Sequence, residues 1–142
     1  MYPYLYNDNL ESNRLTTRKL KESDTTVWAD FFKDQEVIQY FPIFYDTIEQ
    51  RSKQWIERQL TRYAENRYGL QALMDKKTNE FIGQCGLLEQ EVDGKKEIEV
   101  GYHIFKNFWG QGFAPEAARL FIDYAFNNKL TDSVISIIHK DK

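Results

Sequence analysis

Cysteine and histidine are scarce in this sequence. It contains one cysteine, Cys85, and two histidines, His103 and His139, among 142 residues. A single cysteine cannot form an intramolecular disulfide, and these three residues do not make a dedicated zinc site. We therefore expect neither a disulfide nor a metal. No histidine or base is paired with Cys85 in a recognisable pattern, so we interpret it as a small buried residue rather than a nucleophile.

An excess of basic charge and long apolar runs are lacking as well. The formal net charge is -3, and 29% of the residues are charged while 42% are hydrophobic. This balance argues against a nucleic-acid partner and against a membrane span. The first residues have neither the basic segment nor the apolar segment of an export signal. We therefore expect a cytoplasmic protein.

The patterns that are present predict one mixed α/β (α+β) domain over residues 1–142. The expected order is strand, two helices, three antiparallel strands, a glycine loop, a helix and a strand. The last helix then connects two neighbouring strands that we expect to be parallel. The strands are predicted from alternation and β-branched content over residues 14–20, 68–74, 80–89, 97–105 and 133–139.

Each predicted helix has an identifiable start. Ser23 or Asp24 is expected to cap the first helix, and Thr47 with Gln50 forms a capping-box pattern for the second, which should run to Ala64. Pro115 is expected at the first position of the third. The first helix should bury its apolar residues on one face, namely Val27, Trp28, Phe31 and Phe32. Residues 36–44 are interpreted as a helical turn running into a loop.

A glycine loop, residues 109–114, lies between the fourth predicted strand and the third helix. Unpaired N–H groups at such a junction suit a phosphate or pyrophosphate. A P-loop would need Lys and Ser/Thr after Gly112, where Phe113 and Ala114 stand. A dinucleotide fingerprint would need a third glycine where Pro115 stands. From the pattern alone, a turn that only joins strand and helix remains an alternative.

The stretch from Phe108 to Ala117 resembles the acetyl-CoA-binding motif of the GNAT superfamily of N-acetyltransferases. That motif is Gln/Arg-x-x-Gly-x-Gly/Ala, with Gly112 and Ala114 in its last two fixed positions. Trp109 differs from the Gln or Arg of the first motif position. It is similar to the RimJ/RimL-type branch, which modifies ribosomal-protein N-termini and usually has Trp there. The segments Glu99 to Tyr102 and Arg14 to Arg18 also resemble that branch.

The resemblance implies a mostly antiparallel central sheet flanked by helices, with acetyl-CoA as cosubstrate and no metal. The backbone of residues 111–114 is expected to hold the pyrophosphate, and the pantetheine arm to lie along the edge of the 97–105 strand. The expected acetyl-CoA-binding residues are Tyr102, His103, Ile104, Trp109, Gly110, Gln111, Gly112, Phe113 and Ala114.

The acceptor amine must lose a proton before it attacks the thioester, so a carboxylate is expected to act as base. Glu99 is the first candidate and Glu97 the second, because both lie on the strand before the loop and share one face. A surface carboxylate with no catalytic role is the alternative for each. His103 lies on the same face and is a third candidate for the base, with a structural histidine as its alternative.

We therefore predict an N-acetyltransferase that moves acetyl to a primary amine, on a protein N-terminus or a small molecule, by direct attack in a ternary complex. The alternative is a catalytically silent CoA-binding or interaction module. GNAT domains normally continue with another helix and two more strands, so the sequence is expected to be C-terminally short. A missing strand would leave a sheet edge open to a second copy of the chain, as in a homo-oligomer.

Overall fold

The computed structural model describes residues 7–33 and 47–136. The predicted helical turn and loop over residues 36–44 lie outside these ranges, as does the end of the predicted last strand beyond Ser136.

Four antiparallel strands form the central sheet. They are β1 (Leu15–Lys19), β2 (Leu70–Asp75), β3 (Phe81–Val92) and β4 (Lys95–Ile104), and they stand side by side in chain order. The four corresponding predictions are confirmed, with ends that differ by a few residues. The sheet and its flanking helices confirm the predicted mixed, mostly antiparallel α/β fold.

A two-residue turn sets the register between β3 and β4. Asp93 and Gly94 both have positive φ, 51° and 79°, as the favoured hairpin turns require. Val92 is therefore paired with Lys95, and by continuation Leu88 lies opposite Glu99. On the other side of β4, Glu99 forms a parallel bridge with Ile135. The predicted parallel pairing is thus found at Ile135, where the described residues form an isolated bridge rather than a strand.

The first helical segment is shorter and less regular than predicted. Its α-helical part, α1 (Thr25–Trp28), is flanked by 3-10 turns over Glu22–Asp24 and Ala29–Lys33. The predicted cap is wrong, because neither Ser23 nor Asp24 provides a side-chain cap to α1. The Asp24 carboxylate instead bonds Arg18 and the N–H of Lys21. Val27 is also exposed, whereas Trp28 and both phenylalanines are buried as expected.

The second helix, α2 (Ile48–Ala64), has the predicted bounds and the predicted capping box. The Thr47 hydroxyl accepts from the N–H of Gln50, and the Gln50 side chain accepts from the N–H of Thr47. These reciprocal bonds satisfy donors that a helix start leaves unpaired. Ile56 is fully buried beneath the helix.

The third helix, α3 (Phe113–Asn127), begins two residues earlier than predicted. Pro115 is its third residue, so the prediction of proline at the first position is wrong. Proline is tolerated there because the first N–H groups of a helix have no acceptor within the helix. Asn128 follows the last helical residue, which confirms the predicted end.

Two apolar clusters cover the two faces of the sheet. The cluster under α3 includes Leu87, Val100, Phe113 and Phe121. The cluster on the opposite face lies beneath α1 and α2 and is rich in aromatic rings, with Trp28 stacked on Phe31 at 4.5 Å between ring centroids. Since side chains alternate along β4, its even-numbered residues face α3 and its odd-numbered residues face the aromatic cluster.

Gly83 permits the close pairing of β3 with the end of β4. A Cβ at this position would lie 2.3 Å from the His103 carbonyl oxygen and 2.9 Å from the Ile104 Cα. Neither backbone atom can move without disturbing the strand pairing. Gly83 therefore helps to fix the part of β4 that leads into the glycine loop.

We predict that Gly83→Ala lowers the free energy of unfolding by about 3 kcal/mol, the upper part of the usual range for overpacking. Urea unfolding measures the loss. Gly101→Ala is the matched control on β4, because its Cβ would meet the end of the flexible Leu88 side chain at 3.2 Å. Equal losses in the two variants would contradict the close-approach explanation.

The Arg18–Asp24 ion pair joins β1 to the start of the first helical segment. Two guanidinium nitrogens bond the two carboxylate oxygens at 2.8 and 2.9 Å. Burial alone would raise the pKa of Asp24, but the bonds from Arg18 and from the Lys21 N–H outweigh it and lower that pKa. A carboxyl with a depressed folded-state pKa contributes stability above its unfolded pKa, and this contribution disappears as the pH falls through the folded value.

We predict that Asp24→Asn costs about 2 kcal/mol at pH 7, within the range for hydrogen bonds to charged groups. The difference from wild type should shrink below pH 3.8, the ordinary pKa of this carboxyl. Unfolding measured from pH 7 to pH 2 tests this. Glu65→Gln, which breaks the exposed Arg67–Glu65 pair, is the control and should change stability little. A difference for Asp24→Asn that stays constant with pH would contradict the prediction.

Candidate active site

Glu99 lies on β4 as a nearly buried carboxylate, with 8% of its surface exposed. The Gln90 side-chain amide on β3 donates to Glu99 Oε1 at 2.7 Å. Gln90 was not among the predicted site residues. The hairpin register could have indicated it, because counting back from the Asp93-Gly94 turn pairs Gln90 with Glu97, the neighbour of Glu99 on the same strand face.

Glu97 and His103 share the strand face of Glu99, as predicted, but their surroundings differ. Glu97 is half-buried near the start of β4. His103 packs edge-on against Trp55 and Phe31, with ring centroids 4.9 and 5.8 Å away. The Trp55 indole N–H in turn donates to the side-chain oxygen of Gln84 on β3. The three candidate bases thus share one strand face, on which Glu97 is half-buried, Glu99 is nearly buried and His103 lies against aromatic rings.

The backbone of β4 has an open edge near its end. The Val100 N–H donates to the Ile135 carbonyl, and the Ile98 carbonyl accepts from the Ile135 N–H. Even-numbered backbone groups of β4 therefore point away from β3. At Tyr102 no described strand continues this pairing. At Ile104 the carbonyl accepts from the Trp109 indole N–H at 2.8 Å.

A 3-10 turn over Lys106–Phe108 follows β4, and the glycine loop then leads into α3. Gly110 and Gly112 have φ of 79° and 80°, a left-handed conformation that glycine adopts without strain. The N–H groups of residues 111–114 donate to no residue in the described ranges. Two of them belong to Phe113 and Ala114, which form the positive end of the α3 dipole. The predicted phosphate-binding geometry is therefore available here.

A polar network joins this loop to the segment before β1. Arg14 Nε lies 2.6 Å from Glu116 Oε1, and Arg14 Nη1 donates to the Gln111 carbonyl at 2.9 Å. The Ser12 hydroxyl donates to Glu116 Oε2 at 2.6 Å. From the sequence, Arg14 was indicated only as part of a segment that resembles the family, and Ser12 was not predicted. No local pattern could have paired them with Glu116, which lies about a hundred residues further along the chain.

Within residues 7–33 and 47–136, no helix is long and apolar enough to cross a membrane. The same residues contain no group of three or more His, Cys, Asp and Glu side chains placed to hold a metal ion.

Comparison with protein-family models gives a match to the acetyltransferase (GNAT) domain over residues 14–142. The chain belongs to this family. The GNAT family is one of acyltransferases, and the matched region contains β4, the glycine loop and α3. The resemblance inferred from the Phe108 to Ala117 motif is confirmed.

Among curated relatives of this GNAT chain, the Bacillus subtilis protein YkkB is 30% identical over 132 residues, which are 91% of this chain and 74% of that protein. The N-acetyltransferase p20 of Bacillus licheniformis is 34% identical over 123 residues, 85% of this chain and 67% of that protein. This chain thus spans about two thirds to three quarters of the length of these two relatives.

Solved structures share the fold. An acetyltransferase from Agrobacterium tumefaciens superposes with a TM-score of 0.73 at 25% identity, over 96% of this chain and 77% of that one. The ribosomal-protein-S5-alanine acetyltransferase from Vibrio fischeri superposes with a TM-score of 0.70 at 19% identity, over 92% of this chain and 73% of that one. RimL, the ribosomal L7/L12 α-N-protein acetyltransferase in complex with coenzyme A, superposes with a TM-score of 0.64 at 16% identity, over 80% of this chain and 64% of that one. These neighbours show that the chain shares their fold.

Cys85 is inaccessible in this GNAT domain, as the sequence predicted. It lies in the middle of β3 with none of its surface exposed. Burial raises the pKa of its thiol well above the ordinary value. A buried neutral thiol is a poor nucleophile, because the thiolate is the reactive form.

We predict that a charged disulfide reagent leaves the native chain unlabelled at pH 8 and labels it once after unfolding. Mass spectrometry measures the label. Ser23→Cys is the control, since residue 23 is exposed and its new thiol should react in the native state. Rapid labelling of Cys85 in the folded wild type would contradict the observed burial.

Proposed function

We propose that the chain is an acetyl-CoA-dependent N-acetyltransferase that transfers acetyl to a primary amine by direct attack in a ternary complex. One observation supports this most strongly. The same strand that holds the nearly buried Glu99 ends in a loop whose N–H groups are unpaired in the described structure. The proposed anion site and the candidate base therefore belong to one continuous stretch, β4 and the loop that follows it.

The glycine loop is the proposed site for the CoA pyrophosphate. The N–H groups of residues 111–114 would donate to its oxygens at the start of α3, where the helix dipole favours negative charge. Gly110 has open space around the position of a Cβ, and Gly112 has a left-handed φ. A side chain at either position would strain the backbone or obstruct close approach of the phosphates.

The open edge of β4 is the proposed site for the pantetheine arm. The backbone N–H and C=O of Tyr102 point toward this edge, so an extended amide-containing arm can pair with them as an added strand would. The Ile104 carbonyl already accepts from Trp109, which holds that side chain at the end of the edge. Tyr102, His103 and Ile104 are thus proposed to contact the arm or lie beside it.

Glu99 is the proposed base. The amine nitrogen attacks the thioester carbonyl carbon, a C–N bond forms, and the C–S bond breaks to release CoA thiolate. The proton leaving the amine passes to Glu99, directly or through one water. Gln90 holds one carboxylate oxygen of Glu99 and leaves the other for this proton. Glu97 is the second candidate. His103 is less favoured because its ring packs against Trp55 and Phe31.

The acceptor is proposed to be a protein N-terminus or a small amine. Structural neighbours named as acetyltransferases of ribosomal proteins support the first choice. The second candidate function is a silent CoA-binding module that binds CoA at the glycine loop but does not catalyse acetyl transfer. Binding of acetyl-CoA without thiol release, across a panel of N-terminal peptides and small amines, would favour that candidate.

We predict that Glu99→Gln lowers kcat roughly 100-fold, at the lower end of the effect of a general base, while the Kd for acetyl-CoA stays within a few-fold of wild type. The amide keeps the size of the side chain but cannot accept the proton. Thiol release with the best acceptor measures kcat, and calorimetric titration measures Kd.

Glu97→Gln is the matched control on the same strand face and should retain most of the wild-type kcat. A full rate in Glu99→Gln together with a large loss in Glu97→Gln would transfer the base role to Glu97. If wild type does not bind acetyl-CoA at all, the proposed function fails with both assignments.

A further inference from the structure

We infer that Arg14 is the basic residue of the proposed phosphate site, where it fixes the glycine loop and cancels the negative charge of Glu116. This inference rests on the proposed function, because it concerns the same acetyl-CoA site. It assigns a role to a residue far from the loop in sequence, on the segment that leads into β1.

The loop itself has no cation. Residues 109–114 include neither Lys nor Arg. Trp109 occupies the position where the related motif has Gln or Arg, and its indole N–H is used on the Ile104 carbonyl. Lys106 belongs to the preceding turn and is exposed. A doubly charged pyrophosphate at this loop would therefore depend on backbone dipoles unless a side chain from elsewhere contributes charge.

Arg14 provides that side chain. Its guanidinium contacts the loop and the helix start at three points, which are the Gln111 carbonyl, the Glu116 carboxylate and the Phe113 ring. The ring centroid is 4.3 Å from the guanidinium carbon. Nη2 donates to no described residue and lies 3.4 Å from the position of a Cβ on Gly112. The planar fork of arginine thus bonds the loop through Nη1 and Glu116 through Nε, and it keeps Nη2 beside Gly112.

Glu116 makes this cation necessary. It lies in the first turn of α3, next to the N–H groups proposed to bind phosphate. Burial alone would raise its pKa, but the bonds from Ser12 and from the backbone and side chain of Arg14 outweigh burial and lower the pKa. The carboxylate therefore stays charged at neutral pH. Without Arg14, this negative charge would repel the pyrophosphate.

The backbone of Arg14 is itself fixed. Its N–H donates to Glu116 Oε2, and its carbonyl accepts from the Lys76 N–H in the turn between β2 and β3. Leu15, the next residue, is fully buried. The guanidinium therefore projects from a rigid support, so that little conformational freedom remains to be lost when the loop binds an anion.

The test compares Arg14→Gln, Glu116→Gln and the double variant by calorimetric titration with acetyl-CoA. We expect Arg14→Gln to weaken binding about 10-fold or more, because the Glu116 carboxylate is left without a cation beside the phosphates. The double variant should bind acetyl-CoA more tightly than Arg14→Gln alone, since it also removes that carboxylate. A purely structural role for the pair predicts no such recovery.

Two further measurements separate charge at the phosphate site from general damage. Acetyl-pantetheine lacks the pyrophosphate, so its binding or turnover should change little in Arg14→Gln. Arg119→Gln removes the same charge from an exposed pair on α3 and should leave acetyl-CoA binding unchanged. If Arg14→Gln does not fold, Arg14→Lys serves instead. It keeps the charge but cannot bond Glu116 and Gln111 together, and we expect a smaller loss that is again confined to acetyl-CoA.

The inference is overturned if Arg14→Gln binds acetyl-CoA as Arg119→Gln does, or if the double variant is no tighter than Arg14→Gln. It is also overturned if acetyl-pantetheine is affected as strongly as acetyl-CoA. In these cases the proposed function survives, because wild type still binds acetyl-CoA. If wild type fails to bind it, the proposed function and this inference fail together.

Discussion

The alternation of the β4 side chains between the two faces of the sheet is the constraint on which the rest of the site depends. The even-numbered aliphatic side chains of β4 join the cluster under α3, and its odd-numbered side chains face α1 and α2. Its even-numbered backbone groups point away from β3, toward Ile135 and toward the edge at Tyr102 that no described residue covers. Shifting the register by one residue would turn Glu99 under α3 and bury Val100 among the aromatic rings. The Asp93-Gly94 turn and the close approach at Gly83 hold that register, and so they fix the site without belonging to it.

Local charge, rather than net charge, determines what the glycine loop can bind. From a formal charge of -3 we expected no nucleic-acid partner, because such a partner needs a broad basic face. A single pyrophosphate needs only a few donors at one point. The start of α3 offers these N–H groups, and Arg14 pairs with the one carboxylate of that helix turn. An acidic protein can therefore hold a strongly anionic ligand at a helix start.

Features set by neighbours in sequence could be predicted, whereas those set by distant pairing could not. The Thr47 capping box and the Phe108 to Ala117 motif are local, and the structure confirms the elements predicted from them. The Asp93-Gly94 turn is equally local. Asp24 was expected to cap a helix because its local position allows that. Arg18 takes the carboxylate instead, since a guanidinium fork offers stronger hydrogen bonds than a neutral helix N–H. The Arg14–Glu116 contact required knowing that the segment before β1 meets the start of α3.

The topology explains why a phosphate site and an acyl site would share one strand. The chain leaves β4 at its end, forms the loop, crosses through α3 and returns beside β4 in parallel at Ile135. A crossover of this kind places the helix start at the carboxyl end of the strand, where ligands of open α/β sheets usually bind. Ile135 pairs near Glu99, whereas no described residue covers the edge at Tyr102. At a rise of about 3.3 Å per residue, Glu99 and Ile104 are about 17 Å apart, so a ligand at the loop must be long and extended to reach Glu99.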